Sequence, residues 1–386
     1  MPAPPPESRF ALRLAVFYAA LFLAFGVQLP FFPLWLGAKG LDASLIGLVL
    51  SMPMVVRVIA IPLASHQADR RAALRATLVA ATAATAAAYA VVGLMEGPLP
   101  IVLACAVAAA VYAPVMSLTD AYALRGLAAE GRAYGPVRLW GSAAFLLGML
   151  GAGVAIDLMP ARALIWLIVA GAALNALVAL ALAPLPAAKA APPPRAAAPL
   201  LRQPLFLAVL MSAAAIQGSH AVYYGFSALE WTAAGFGGKT VAALWALGVI
   251  AEIALFAAQA RLPRAVTPAR LLLAGAAGGL LRWGVMALDP AAALLPALQL
   301  LHAASFGCTH LGALAFLARI APAGHAARAQ GYLSIALGLA SAGAMSLSGA
   351  LYAAYGAGAY AAMALMAAVG GAGALVAQRL DRGVAE

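Results

Sequence analysis

The chain has 386 residues, 66% of them hydrophobic and only 9% charged; a soluble globular chain carries about 25% charged residues, so lipid must be the solvent for most of this one. Its formal net charge of +11 lies in short basic clusters between apolar runs, with no basic stripe built with stacking aromatics, which sets aside nucleic acid and fits loops against an anionic membrane face. No Walker loop, HExxH, nucleophile elbow or CxxC occurs; that counts against ATP-driven chemistry and a membrane metalloprotease and leaves no metal or cofactor to expect.

A bilayer-crossing helix needs about 20 predominantly apolar residues. Cutting the sequence at its charged, proline-rich and glycine-rich breaks gives spans near 10–36, 44–64, 75–95, 98–121, 137–156 and 161–183. A second set follows near 204–227, 239–260, 270–288, 291–318, 327–353 and 357–378. The fold class expected is therefore an all-α integral membrane protein, with twelve transmembrane helices in two pseudo-symmetric six-helix bundles, 1–183 and 204–386. Between them, 184–203 reads as a cytoplasmic linker: Pro192, Pro193 and Pro194 resist helix, and Lys189, Arg195 and Arg202 are all positive. Arg9 and Arg13 before the first apolar run raise a signal peptide, but the run is long and carries Pro30 and Pro33 without a clean small-residue cleavage site, so it reads as a retained span.

Alternate loops differ in basic residues as a correct set of spans requires. One side holds only Lys39, Arg162 and Lys239, while the side of the N-terminus holds clusters such as Arg70, Arg71 and Arg75 or Arg125, Arg132 and Arg138. Both termini are expected in the cytoplasm. Gly141, Gly148 and Gly151 in the fifth span, and Gly331, Gly338, Gly343 and Gly349 in the eleventh, have the spacing of close helix contacts in lipid. Cys105 and Cys308 lie in separate apolar spans and read as packing residues.

Ionisable groups at membrane depth are costly, by about 2.5–3.5 kcal/mol each on insertion scales, so each needs a partner or a task. Arg57 lies in the second span with no carboxylate at helical spacing; it is either an anion anchor for a substrate carboxylate or the partner of Asp120. Asp120 ends the fourth span and Arg138 opens the fifth, so a salt bridge across that hairpin is the competing arrangement, as a gate or a static staple. Glu252 is well inside the eighth span, roughly 20 Å from its outer end at about 1.5 Å per residue. On the tenth span His302 comes at roughly 16 Å and His310 two turns deeper, and Arg282 enters from the ninth. Low dielectric favours the neutral form of a carboxylate and a neighbouring cation restores the charged one, so Glu252 reads as a proton carrier, with a permanent Glu252–Arg282 ion pair as the alternative.

A cavity lining is expected from Gln28, which shares a face of the first span with Phe17, Leu21, Ala24 and Phe32, and from His220, Tyr223 and Tyr224 on the seventh. Aromatics beside a few polar groups suit a flat, partly apolar ligand. Trp35 and Trp231 fit an interfacial belt equally well. Between the second and third spans, Asp69 with Arg70 and Arg71 reads either as a latch onto a helix N-terminus or as a solvated positive loop.

These stretches together resemble the major facilitator superfamily, and more narrowly its phenylpropionate permease branch, related to the lactose and nucleoside proton symporters. The resemblance rests on LPFFPLWL with Gly40-Leu41 and Ile46-Gly47, Arg57, LTDA with YGPVRLWGSAAF, SHAVYYGFSALEW, LWALGVIAEIALF, LHAASFGCTHLGALAF and QGYLSIALGLASAG, which span nearly the whole chain. It implies proton-coupled uptake by alternating access, with Glu252, Arg282 and the histidines as the proton-coupling cluster. The expected protein is a monomeric symporter of a bacterial inner membrane, not an enzyme, whose partners are protons, lipid and a small organic solute, with an aromatic carboxylate as leading class. A sugar or nucleoside proton symporter, or a drug efflux transporter of the same fold, is the alternative.

Overall fold

In lipid a chain has only itself to bond, so charge-free runs close into helices. The computed structural model describes residues 9–70, 73–185, 200–263, 265–322 and 325–385, and among these every regular element is helical. In the first half the α-helices are α1 (Arg9–Ala38), α2 (Ala43–Arg70), α3 (Leu74–Leu94), α4 (Pro98–Ala129), α5 (Tyr134–Ile156) and α6 (Leu164–Leu180). The second half has α7 (Pro204–Gly218), α8 (Ala221–Ala233), α9 (Gly238–Ala258), α10 (Pro268–Met286), α11 (Leu295–Leu300), α12 (Thr309–Ile320), α13 (Ala326–Tyr355) and α14 (Tyr360–Ala385). Most of the linker lies outside the described residues.

Among the described residues, 10 stretches are long and apolar enough to cross a membrane. One of them, Arg328–Arg382, runs 55 residues and holds both α13 and α14, and α10 is not among the ten. Two spans expected to be single helices are broken. The seventh parts into α7 and α8 at Ser219 and His220, where the Ser219 hydroxyl donates to the Ile216 carbonyl (2.6 Å) and accepts from the Trp283 indole (2.9 Å). The tenth is interrupted by a π-helical turn, Ala303–Cys308, between α11 and α12.

The chain divides into two compact units. Unit 1 takes Met1–Leu41, Met52–Ala191 and Gly235–Ala242; unit 2 takes Asp42–Ser51, Pro192–Ala234 and Ala243–Glu386. In unit 1, α1 packs along α5 and α6 and α3 packs on α4 and α6, burying Leu14, Phe17, Tyr18 and Leu21. α1 and α5 approach almost to backbone contact: a Cβ at Gly148 would run into the Leu23 carbonyl, and one at Gly26 into the Phe145 carbonyl. Gly148→Ala is therefore expected to cost about 1–3 kcal/mol through overpacking, read as a lower unfolding temperature in detergent; an unchanged temperature would mean that these helices do not meet so closely. Gly141 makes a close contact with the Phe22 ring and Gly349 with the Ala43 carbonyl, whereas Gly151, Gly331 and Gly343 face open space, so the small-residue spacing marked some of the close contacts and not others.

In unit 2, α7 is surrounded by α13 and α14, and α10 by α12 and α14. Phe206, Val209, Leu272, Phe316 and Ala377 form its buried centre. Large apolar side chains point the other way as well: Leu99 is 67% exposed, Leu147 66% and Leu365 67%. A surface so apolar is covered by lipid.

Trp35 and Trp231 are buried core residues and do not form a belt. The Trp35 indole donates to the Arg162 carbonyl (3.1 Å) while Arg162 reaches back to the Ala38 carbonyl (3.0 Å). Beside them Lys39 pairs with Glu96 at 2.5 Å and holds that carboxyl below the usual carboxylate range. Basic residues on the sparsely charged side thus tie loop ends together.

Candidate functional site

Among the described residues, a cluster of polar side chains inside a membrane-spanning part lies in unit 2, where the breaks in the seventh and tenth spans face α9 and α10. The π turn widens the helix by one residue, and the Gln217 side chain donates to the Phe306 carbonyl (3.3 Å), which also accepts from the Thr309 amide. This turn follows His302 directly and carries Ser305, so it sets the directions in which both side chains point.

Arg282 is fully buried on α10. Its guanidinium donates to Gln299 Oε1 (2.6 Å) and to His302 Nδ1 (3.0 Å), and lies over the Tyr223 and Trp283 rings at 4.4 and 4.5 Å. The charge is thus held by ring faces and a fork of neutral acceptors. On its other side His302 Nε2 stands 3.3 Å from Glu252 Oε2. An arginine has only donors, so His302 Nδ1 must accept; the ring proton is on Nε2 and points at the carboxylate. Arg282, His302 and Glu252 form one directed line, and the direct Glu252–Arg282 pair that the sequence suggested is replaced by a relay through the imidazole.

His220 adds a second imidazole at 5.4 Å from His302, edge to face. Its Nδ1 donates to the Gln217 carbonyl (3.1 Å) and its Nε2 accepts from the Ser305 hydroxyl (3.1 Å). Tyr224 stacks on it at 5.6 Å, and Tyr223 lies on Trp245 at 4.6 Å. His310, two turns from His302, continues a ring ladder through Phe306, with centroid steps of 5.2 and 6.2 Å, and lies within electrostatic reach of Glu252. The structure therefore brings Glu252, Arg282, His302, His310, His220, Tyr223 and Tyr224 together. It adds Gln299, Ser305 and Trp283, none of which sequence reasoning singled out; only the spacing of Gln299 and His302 on one span signalled the first.

Unit 1 holds the remaining positions separately. The Gln28 amide bonds the Tyr89 hydroxyl, beside a cavity of about 20 Å³ lined also by Thr82, Thr85, Tyr112 and Asn175. That is room for a water, not for a solute. Thr82, Thr85 and Tyr89 recur at helical spacing, a signal readable in the sequence. Arg57 stands half-buried on α2.

Asp120 does not pair with Arg138. Its carboxylate accepts from the hydroxyls of Tyr18 (2.6 Å) and Tyr134 (2.9 Å), while the Arg138 guanidinium lies over the Phe22 ring at 3.9 Å and the Tyr18 ring at 5.5 Å. Two hydroxyls satisfy the carboxylate and two ring faces hold the cation, so the hairpin bridge is not needed. Also in unit 1, Asp157 accepts from the backbone amides of Gly238 (2.6 Å) and Lys239 (3.3 Å), which open α9; sequence reasoning passed it over. The side chains of Asp69 and Arg70 lie outside the described residues.

Among the described residues, an all-helical apolar molecule carrying a line of ionisable groups within its spans has the build of a membrane transporter. Residues 11–362 match the model of the MFS_1 like family. The chain belongs to that family, within the major facilitator superfamily, as its motifs implied. It is 33% identical over 311 residues to the probable 3-phenylpropionic acid transporter of Escherichia coli (strain K12), covering 79% of this chain and 81% of that one. The nucleoside transporter NupG superposes with a TM-score of 0.79 at 16% identity, over 97% of this chain and 99% of that one. A D-xylose-proton symporter superposes with 0.69 at 13% identity, over 95% and 97%. At such identities the likeness is one of fold.

Proposed function

We propose that the protein is a proton-coupled symporter that imports a small organic solute, an aromatic carboxylate, by alternating access. The observation that carries this reading is the Arg282–His302–Glu252 line, in which a half-buried carboxylate meets an imidazole whose far nitrogen is fixed by a permanent cation. Such a carboxylate alternates between a protonated form, neutral beside apolar walls, and an ionised form hydrogen-bonded to the imidazole. The similarity to a transporter whose name specifies 3-phenylpropionic acid supports the solute class.

Arg57 is the cation suited to the solute's carboxylate; Gln28 in unit 1 and His220, Tyr223 and Tyr224 in unit 2 are the further residues assigned to solute binding, with His220 stacked on and Tyr223 tilted against the half-buried Tyr224. Asp69, Arg70, Asp120 and Arg138 act as gate residues, Asp120 through its two tyrosines. The protein works as a monomer in a bacterial inner membrane with both termini cytoplasmic. It crosses the membrane twelve times, with α13 and α14 taken separately and α10 included.

The test is direct. Purified protein in sealed vesicles holding a pH-sensitive dye is given 3-phenylpropionate outside. Acidification of the lumen on addition, absent with sugars or nucleosides, is the expected result. Uptake of labelled solute without proton movement would overturn the coupling, and acidification driven by a nucleoside or sugar instead would overturn the solute class.

A further inference from the structure

Where α7 begins and α12 and α14 near their ends, unit 2 holds a cavity of about 680 Å³ that shares no residue with the Arg282–His302–Glu252 line. Arg202, Arg319 and Asp381 line it together with the apolar Leu205, Ile320 and Leu380. A space of that size takes a drug-sized molecule, not a single ion. α7 packs on both α12 and α14, so the cavity is framed by helix ends that are already held together.

The charge around this cavity is mostly positive. Arg319 is half-exposed, pairs with Asp381 and lays its guanidinium over the Phe316 ring at 5.1 Å, with its stem on apolar surface and its head at the edge. Arg202 is exposed and has no ion-pair partner among the described residues. The last turns of α14 add the exposed Arg379 and Arg382. The one carboxylate among the lining residues is Asp381, and an exposed ion pair of this kind contributes little stability, so a stronger anion can displace it from Arg319. The start of α7 adds to the same field: Pro204 stands at the first helical position and Gln203 makes no side-chain cap bond, which leaves the positive end of the helix dipole uncovered.

The helices that frame the cavity continue as exposed apolar stripes. Leu207 and Met211 stand four residues apart on α7, and Val369 and Val376 seven apart on α14, so each pair shares a helix face. A ligand that fits both features has an anionic end and long apolar chains. We propose that this cavity is a binding site for an anionic phospholipid, whose phosphate replaces Asp381 on Arg319 and meets Arg202 while its acyl chains lie along α7 and α14. Guanidinium groups suit a phosphate because their planar donors match its oxygens, and a basic pocket between membrane helices is the usual seat of such a headgroup. The chain's own connecting segment 186–199 joins α7 from the same end, but its charges, Lys189 and Arg195, are both positive and are repelled by the arginines here.

The test places the full-length protein in nanodiscs of phosphatidylcholine with a minor share of phosphatidylglycerol of the same acyl chains, and counts the lipids it retains by native mass spectrometry. Phosphatidylglycerol is expected to be retained in preference, less strongly as salt rises. Arg202→Gln or Arg319→Gln is expected to weaken that preference by about fivefold, and the double variant by about twentyfold. Asp381→Asn removes the competing carboxylate and is expected to strengthen it, a gain that a merely structural ion pair would not give. Equal retention of the two lipids, or a preference that the double variant leaves unchanged, overturns the proposal. Benzoylphenylalanine in place of Leu205 is expected to cross-link to phosphatidylglycerol on illumination. A cross-link to residues 186–199 or to a second copy instead overturns the lipid in favour of that occupant, and displacement of the lipid by free glycerol phosphate at equal concentration overturns it in favour of a soluble anion. None of these readouts follows solute or proton movement, so they stand or fall separately from the symport reading.

Discussion

Glu252→Gln is expected to abolish solute-driven proton uptake, by about 100-fold or more, while solute exchange across the same vesicles stays within about twofold of wild type. The substitution is close to isosteric, and its amide oxygen still accepts from His302 Nε2, now 3.3 Å from the carboxylate. What it removes is the capacity to alternate between ionised and neutral forms. Exchange requires only that the loaded protein open to each side in turn, and a permanently neutral residue at this position serves that half of the cycle. Return of the unloaded protein after net import requires proton release, which glutamine cannot perform. Parallel loss of exchange and net uptake would assign Glu252 to folding or solute binding instead, and unchanged proton flux would remove it from the mechanism.

Much of this was legible in the sequence because lipid punishes charge so severely. Glu252, Arg282, His302 and His310 stand out among apolar neighbours by their cost alone, and the structure brings all four together. Their order within the cluster was not legible. Whether Arg282 meets Glu252 or His302 depends on how α9, α10 and α11 slide past one another by a fraction of a turn, and on a π turn at Ala303–Cys308 that no proline announces. The break at Ser219 and His220 was hidden for a similar reason: it is held by the side chains of Ser219 and Trp283, which are 64 residues apart. Asp120 shows the same limit. Arg138 is its neighbour in the hairpin, yet its hydroxyl partner Tyr18 comes from 102 residues away, and aromatic faces that accept a guanidinium carry no charge by which a sequence reading would find them. Helix existence follows from local composition; partner choice follows from packing between distant segments.

Arg282→Lys is the second change expected to have a large effect, although it preserves the charge. The guanidinium holds Gln299 Oε1 at 2.6 Å and His302 Nδ1 at 3.0 Å through two different nitrogens, and it lies over the rings of Tyr223 and Trp283. An ammonium is a single point on a flexible stem and does not reproduce the planar fork or its stacking. It reaches one acceptor and leaves the other buried without a donor, at about 1–3 kcal/mol. If His302 Nδ1 is the one abandoned, the imidazole no longer has a reason to keep its proton on Nε2, and the bond to Glu252 loses its direction. The expected result is a folded protein whose unfolding temperature is lowered, whose solute binding persists, and whose proton-driven uptake falls by about tenfold or more with an altered dependence on pH. The pH dependence separates the two explanations. A purely structural arginine would lower the rate by the same factor at every pH, because only the amount of active protein changes. An arginine that fixes the imidazole tautomer shifts the pH at which uptake is half-maximal, since Glu252 then gives up its proton against a different neighbour. A profile of unaltered shape in Arg282→Lys would confine this residue to packing and leave His302 and Glu252 to exchange the proton by themselves.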